Sequence, residues 1–167
     1  MRMAGKILLS ISVIIFWFGL SFAEIQKYSD RFSGKTIVSS EIKKISYFDE
    51  SQGMRRKFDS VTFVKRTDIN SYTLNFVLTR ARKALFKKAD IKVDNAVHSL
   101  SLIGKSFSEA GVNRIKNQGY FKVPESVARK ISRAKSLTLK IGFSNRGDII
   151  WDVPSGVLSE WKQVLAK

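Results

Sequence analysis

His98 is the single histidine of this 167-residue sequence, and cysteine is absent. These two facts narrow the chemistry at once. A zinc site needs three or four nitrogen, sulfur or carboxylate ligands held together. One imidazole and no thiolate leave no such set. Calcium would call for an Asp-x-Asp-x-Asp-Gly loop, which does not occur. His98 shares the parity of Leu100 and Leu102 in a predicted strand, which reads as a hydrogen-bonded strand histidine rather than a general base. Nucleophilic serine chemistry finds little more. No Gly-x-Ser-x-Gly elbow is present. Ser40-Glu-Ile-Lys43 and Ser132-Arg-Ala-Lys135 match Ser-x-x-Lys, but neither has the companion Ser-Asp-Asn or Lys-Thr-Gly. Gly34-Lys35-Thr36 and Gly104-Lys105-Ser106 match the end of a phosphate-binding loop and fail at its first glycine, where Ser29 and Ser99 stand. The adjacent carboxylates Asp49 and Glu50 fall in a predicted loop. No catalytic residue, metal or cofactor is therefore assigned, and the chain is read as a non-enzyme.

The basic residues are the other candidates. Lysine and arginine number 30 against 14 acids, a formal charge of +16. Such an excess draws anions and speeds their encounter, whatever the fold. The densest acid-free run is Arg80, Arg82, Lys83, Lys87 and Lys88. A second group is Arg129, Lys130, Arg133 and Lys135. The anion-binding candidates are Arg80, Arg82, Lys83, Lys87, Lys88, Arg129, Lys130 and Arg133. Shorter runs are Arg55-Arg56-Lys57 and Lys65-Arg66. Composition does not say whether any of these share a face. Arg146-Gly147-Asp148 is an integrin-type tripeptide on a predicted hairpin tip, where it would be exposed, but its residues are also ordinary turn formers.

The N-terminal stretch sets the compartment. Arg2 and Lys6 precede an apolar run from Ile7 to Leu20. Ser21-Phe22-Ala23 then supplies small residues at a cleavage site. Residues 7–23 would make a helix of about 25 Å, short of the roughly 30 Å hydrocarbon core. The expectation is a signal peptide over residues 1–23, cleaved after Ala23, and one domain over residues 24–167. Losing Arg2 and Lys6 takes the formal charge from +16 to +14. Export to a periplasm or the extracellular space follows, and the absence of cysteine and of glycosylation sequons suits a bacterial substrate.

These residues must be positioned by strands and two helices. Tyr72, Leu74, Phe76 and Leu78 alternate with polar neighbours, the period of a strand with one buried face. Leu137, Leu139, Ile141 and Phe143 repeat the pattern. Asp94-Asn95 suits a tight hairpin between Ile91–Val93 and Val97–Ile103, because both residues tolerate positive φ. Lys35–Tyr47 reads as one or two strands and 51–57 as a loop. Residues 104–119, with three glycines, read as loop with at most one helical turn. Pro124 and Pro154 open two helices, about 124–135 and 155–166. Val127, Ala128, Ile131 and Ala134 stripe the first, and Val157, Leu158, Trp161, Val164 and Leu165 the second. Hairpins plus two helices predict an α+β fold: an antiparallel sheet of about six to seven strands with both helices packed on one face.

The functional expectation is a small exported basic binding domain. Its partner would be an anionic envelope polymer or membrane surface, or another exported protein; nucleic acid is disfavoured. A structural or interaction module acting through an apolar patch around Trp151, or through a sheet edge, is the alternative. A Ser–Lys or carboxylate hydrolase ranks third.

Overall fold

The computed structural model describes residues 24–29, 35–49 and 53–167. The expected leader lies outside them, as do Glu50 and the Asp30–Gly34 part of the lead-in.

Nine strands form one antiparallel sheet: β1 (Glu24–Ser29), β2 (Thr36–Asp49), β3 (Met54–Arg66), β4 (Ser71–Arg80), β5 (Phe86–Val93), β6 (Ala96–Glu109), β7 (Ile115–Val123), β8 (Leu137–Phe143) and β9 (Ile149–Asp152). The described residues also form two helices, α1 (Glu125–Ile131) and α2 (Ser155–Ala166). The α+β class and its antiparallel sheet agree with the sequence reading; the strand count exceeds the six to seven expected. The spatial order is β1-β2-β3-β4-β7-β6-β5-β8-β9, and β9 also pairs with β2 through Phe48↔Ile150 and Asp49↔Ile149. The sheet thus closes on itself, with β1 lying outside the ring along β2.

β1 adds a strand in what reads as an extended lead-in, and the stretch read as loop lengthens two strands read only at Val97–Ile103 and Tyr120–Val123. β6 and β7 pair from Ser101↔Lys122 to Glu109↔Ile115 and occupy most of 104–119. Two of the glycines that suggested a loop are strand residues. Gly119 lies where a Cβ would sit 2.8 Å from the Phe86 ring, and at Gly104 it would sit 3.6 Å from the Tyr120 ring. Glycine in a strand often marks such a close approach. Only Leu100 of β6 is buried, and beyond Ile103 the strand has no apolar alternation to reveal it. Met54–Lys57, also read as loop, begins β3.

The turn expected at Asp94-Asn95 is present, with Asp94 at φ 52° between β5 and β6; Asn70 takes φ 46° between β3 and β4. In β2 the buried parity changes: Val38, Ser40 and Ile42 point inward, then Ile45 and Tyr47. The change falls at Lys44, whose φ of 57° is rare for a non-glycine residue. β3 follows, with Phe63 and Val61 inward and then Phe58. The long β2–β3 hairpin rotates about its own axis there, which carries its tip across to β9.

One apolar core fills the ring. Phe58, Phe63, Leu74, Phe76, Leu78, Phe121, Leu139, Ile141, Ile149 and Trp161 are wholly enclosed. Trp161 of α2 stacks on Phe63 at 5.1 Å and meets Trp151 edge-on at 6.2 Å. α1 buries Val127, Ala128 and Ile131 against β4, β5 and α2. It ends at Ile131 rather than near 135, and Ala134 completes its stripe from the following turn. A polar pair interrupts the apolar packing: Ser40 Oγ donates to the carboxylate of Glu160 at 3.3 Å, 120 residues away.

Candidate functional site

The two basic groups read from the sequence lie at opposite ends of the ring. α1 carries Arg129 and Lys130 beside Tyr72, the start of β4. The acidity of Tyr72 is weakened first by burial and then by the charge of Glu125, with Arg129 opposing. Arg80 ends the same strand eight residues later, about 26 Å away at the usual strand rise. Arg129 lies 3.9 Å from Glu125, and Lys130 Nζ sits 3.3 Å from His98 Nε2. Arg133 follows on the exposed side of the next turn. His98 is half-buried on β6 with that lysine beside it. Among the described residues no group of three or more His, Cys, Asp or Glu side chains could hold a metal ion.

At the other end, the loop 81–85 runs from β4 to β5 across the mouth of the ring. Two asparagines clamp it. The fully buried Asn117 accepts the Ala84 N–H at 2.7 Å and donates to Leu78 O and Ile115 O, both at 2.9 Å. Asn145 accepts the Leu85 N–H at 3.0 Å and donates to Lys83 O at 2.7 Å. Arg82 and Lys83 are thereby held outward, and the Lys83 ammonium lies 5.5 Å over the Phe107 ring. A bulge after Phe86 turns both Lys87 and Lys88 to solvent. Lys88 is 3.6 Å from Asp90.

Arg80 has a different role from its neighbours. Its guanidinium donates to the Tyr47 hydroxyl at 2.9 Å, to Lys57 O at 3.1 Å and to Thr79 O at 2.7 Å. It ties β4 to β2 and β3 and forms one wall of a cleft of about 620 Å³ lined by Arg56, Lys57, Asp59, Thr79, Arg80, Val112 and Arg114, among others. Four cations face one acid there. Asp59 already accepts the Thr79 N–H at 2.6 Å. Lys57 and Arg114 are exposed at the rim. Sequence reading singled out Arg80 and noted the Arg55–Lys57 run but passed over Arg114, which stands alone in sequence and joins the cleft only through the β6–β7 turn.

No protein-family model matches this chain, and no match is found among curated proteins. Among solved structures, the crystal structure of invasion associated protein B from Bartonella henselae is similar with a TM-score of 0.44 at 12% identity, over 87% of this chain and 96% of that one. A likeness this loose carries no inference about either fold or function.

The remaining motifs are absorbed by the fold. Ser40 is wholly buried and bonded to Glu160, whereas the Lys43 ammonium is exposed 3.8 Å from Glu41, so Ser40 and Lys43 form no dyad. Ser132 Oγ donates to Arg129 O and closes α1. Arg146-Gly147-Asp148 is half-buried rather than displayed: Arg146 lies 5.0 Å over Phe143, and Asp148 pairs with Lys140 at 3.2 Å. Trp151 is 4% exposed and belongs to the core.

Proposed function

We propose that this chain is a non-enzymatic binding domain, exported to a periplasm or the extracellular space, that engages a polyanionic envelope component or membrane surface. The cleft beside Arg80 is its contact site. The observation that carries the reading is the convergence of Arg56, Lys57, Arg80 and Arg114 around one cleft, with Asp59 as the only acid in its lining. Arg82 and Lys83 stand next to it on a loop held in place by two asparagines.

Magnitudes favour a polymer or surface over a small anion. Each Lys or Arg near an anionic surface contributes about 1 kcal/mol. Arg80 is committed to its bonds inside the fold, so the exposed pair Lys57 and Arg114 gives about 2 kcal/mol, short of the roughly 4 kcal/mol of a 1 mM dissociation constant. A repeating ligand engages Arg82 and Lys83 as well and gains further from each. No helix of the described residues is long and apolar enough to cross a membrane.

The test is binding to vesicles containing anionic lipid, and separately to polyphosphate, at about 50 and 300 mM salt. Binding is expected at the lower salt, with a steep loss at the higher. Binding that ignores salt, or that survives Lys57→Glu with Arg114→Glu, would sink the proposal.

A further inference from the structure

The ring has a gap, and its lining is unlike the basic cleft. One edge of β2 pairs with β1 up to Glu24↔Glu41 and with β9 only from Phe48↔Ile150. Among the described residues no strand pairs with Ile42–Tyr47 on that edge. A cavity of about 390 Å³ opens there, lined by Ile42–Ser46 of β2, Trp151 of β9 and Pro154–Val157 at the start of α2. Its floor is apolar: Ile42, Ile45, Trp151 and Val157. Lys43 and Lys44 stand beside it and its lining contains no acid. The first turn of α2 has neither an acidic residue nor a side-chain cap.

We infer that this gap binds an extended peptide of a partner protein, which adds as a short strand to the β2 edge at Ile42–Tyr47, sets an apolar side chain on the floor and turns a carboxylate toward Lys44. Each part of that occupant answers a feature of the lining. The edge offers backbone donors and acceptors on either side of Lys44, where φ is 57°, and an extended chain satisfies them as a compact small molecule does not. The volume lies at the lower end of ligand-site sizes, fitting one or two side chains. The flanking pairings to β1 and β9 limit the added strand to about six residues, since the register is already continuous on either side. Glu41 already stands 3.8 Å from Lys43, so the preference for an acidic partner rests on Lys44. The site is separate from the polyanion cleft in residues and in ligand chemistry.

Gly156 gives a decisive variant. A Cβ at Gly156 meets nothing within 4 Å, so a side chain is accommodated without repacking. An aspartate there also suits the first turn of α2. Gly156→Asp therefore leaves the thermal midpoint unchanged or raised while it places a like charge at the mouth. The probes are two fluorescent eight-residue peptides of alternating valine and threonine, one ending in glutamate–valine and one in lysine–valine amide. The purified protein is expected to bind the acidic peptide, with affinity falling at least about tenfold in Gly156→Asp and in Lys44→Glu. In hydrogen exchange, the amides of 42–47 that face away from β3 exchange fast in the free protein and slow when the peptide is added. Three results would overturn the inference: no binding of either peptide at about 1 mM, equal binding of both peptides by Gly156→Asp and the parent, or amides already slow in the free protein. The last would mean that residues of this chain itself cover the edge.

Discussion

At the residue scale, Asp94 links a turn to the chain that follows α1. Its Oδ1 accepts the N–H groups of Lys135 and Ser136, each at 2.9 Å, while its own N–H donates to Ser136 O. These backbone bonds, first from Ser136 and then from Lys135, favour the carboxylate and hold its pKa below the ordinary value of 3.8. A carboxyl whose folded pKa is depressed adds stability above the unfolded value, and that stability drains away as pH falls through the folded one. The thermal midpoint should therefore drop below about pH 4, and Asp94→Asn should flatten that drop. Asparagine keeps the positive φ of the turn, so melting curves from pH 7 to pH 2 isolate the charge. An equally steep acid limb in Asp94→Asn would refute this account. Gly119 makes a second prediction. The 2.8 Å approach of the Phe86 ring leaves no room for a methyl group, so Gly119→Ala should lose about 1–3 kcal/mol in denaturant unfolding.

At the element scale, α2 is anchored by one side chain. Trp161 is wholly buried between Phe63 and Trp151, and both ring contacts tie the helix to strands from opposite ends of the chain. Trp161→Ala should cost about 3–5 kcal/mol, measured as a shift in the denaturant midpoint with the slope unchanged.

The elements also show what a sequence reveals. β4 and β8 were legible because a strand with one buried face writes its period into the residues: Tyr72, Leu74, Phe76 and Leu78 are all enclosed. Both helices were legible from Pro124, Pro154 and their stripes. The second half of β6 was hidden because it is exposed to solvent on most positions and so imposes no alternation. β2 was blurred by the parity change at Lys44, which splits one strand into two half-patterns. Gly104 and Gly119 pointed to a loop because ring contacts from distant strands, and not turn geometry, set their environment. The cleft was half legible. Arg80 belonged to a conspicuous basic run, but only the β6–β7 turn brings Arg114 to it. No local rule told that Arg129, Lys130 and Arg133 sit at the far end.

At the scale of the whole molecule, that separation gives a prediction. If one cleft carries polyanion binding, reversing Lys57 and Arg114 to glutamate should abolish salt-sensitive binding, whereas reversing Arg129 and Arg133 should leave most of it. The two double variants change net charge equally, so retention on anionic vesicles separates a local site from a general basic surface. Equal losses would mean that only overall charge matters.

The joint between β2 and β9 consists of two residue pairs, against twelve between β2 and β3. It brings together segments from the beginning and the end of the described chain. Joining such remote segments is slow, because the loop-closure entropy must be met before their contacts form. The hairpins can assemble as the chain emerges, but the circle shuts only when the C-terminal part has arrived. A molecule that opens there must also lift α2 from β2 and β3, because Trp161 stacks on Phe63 and Ser40 bonds to Glu160, yet no hairpin has to part.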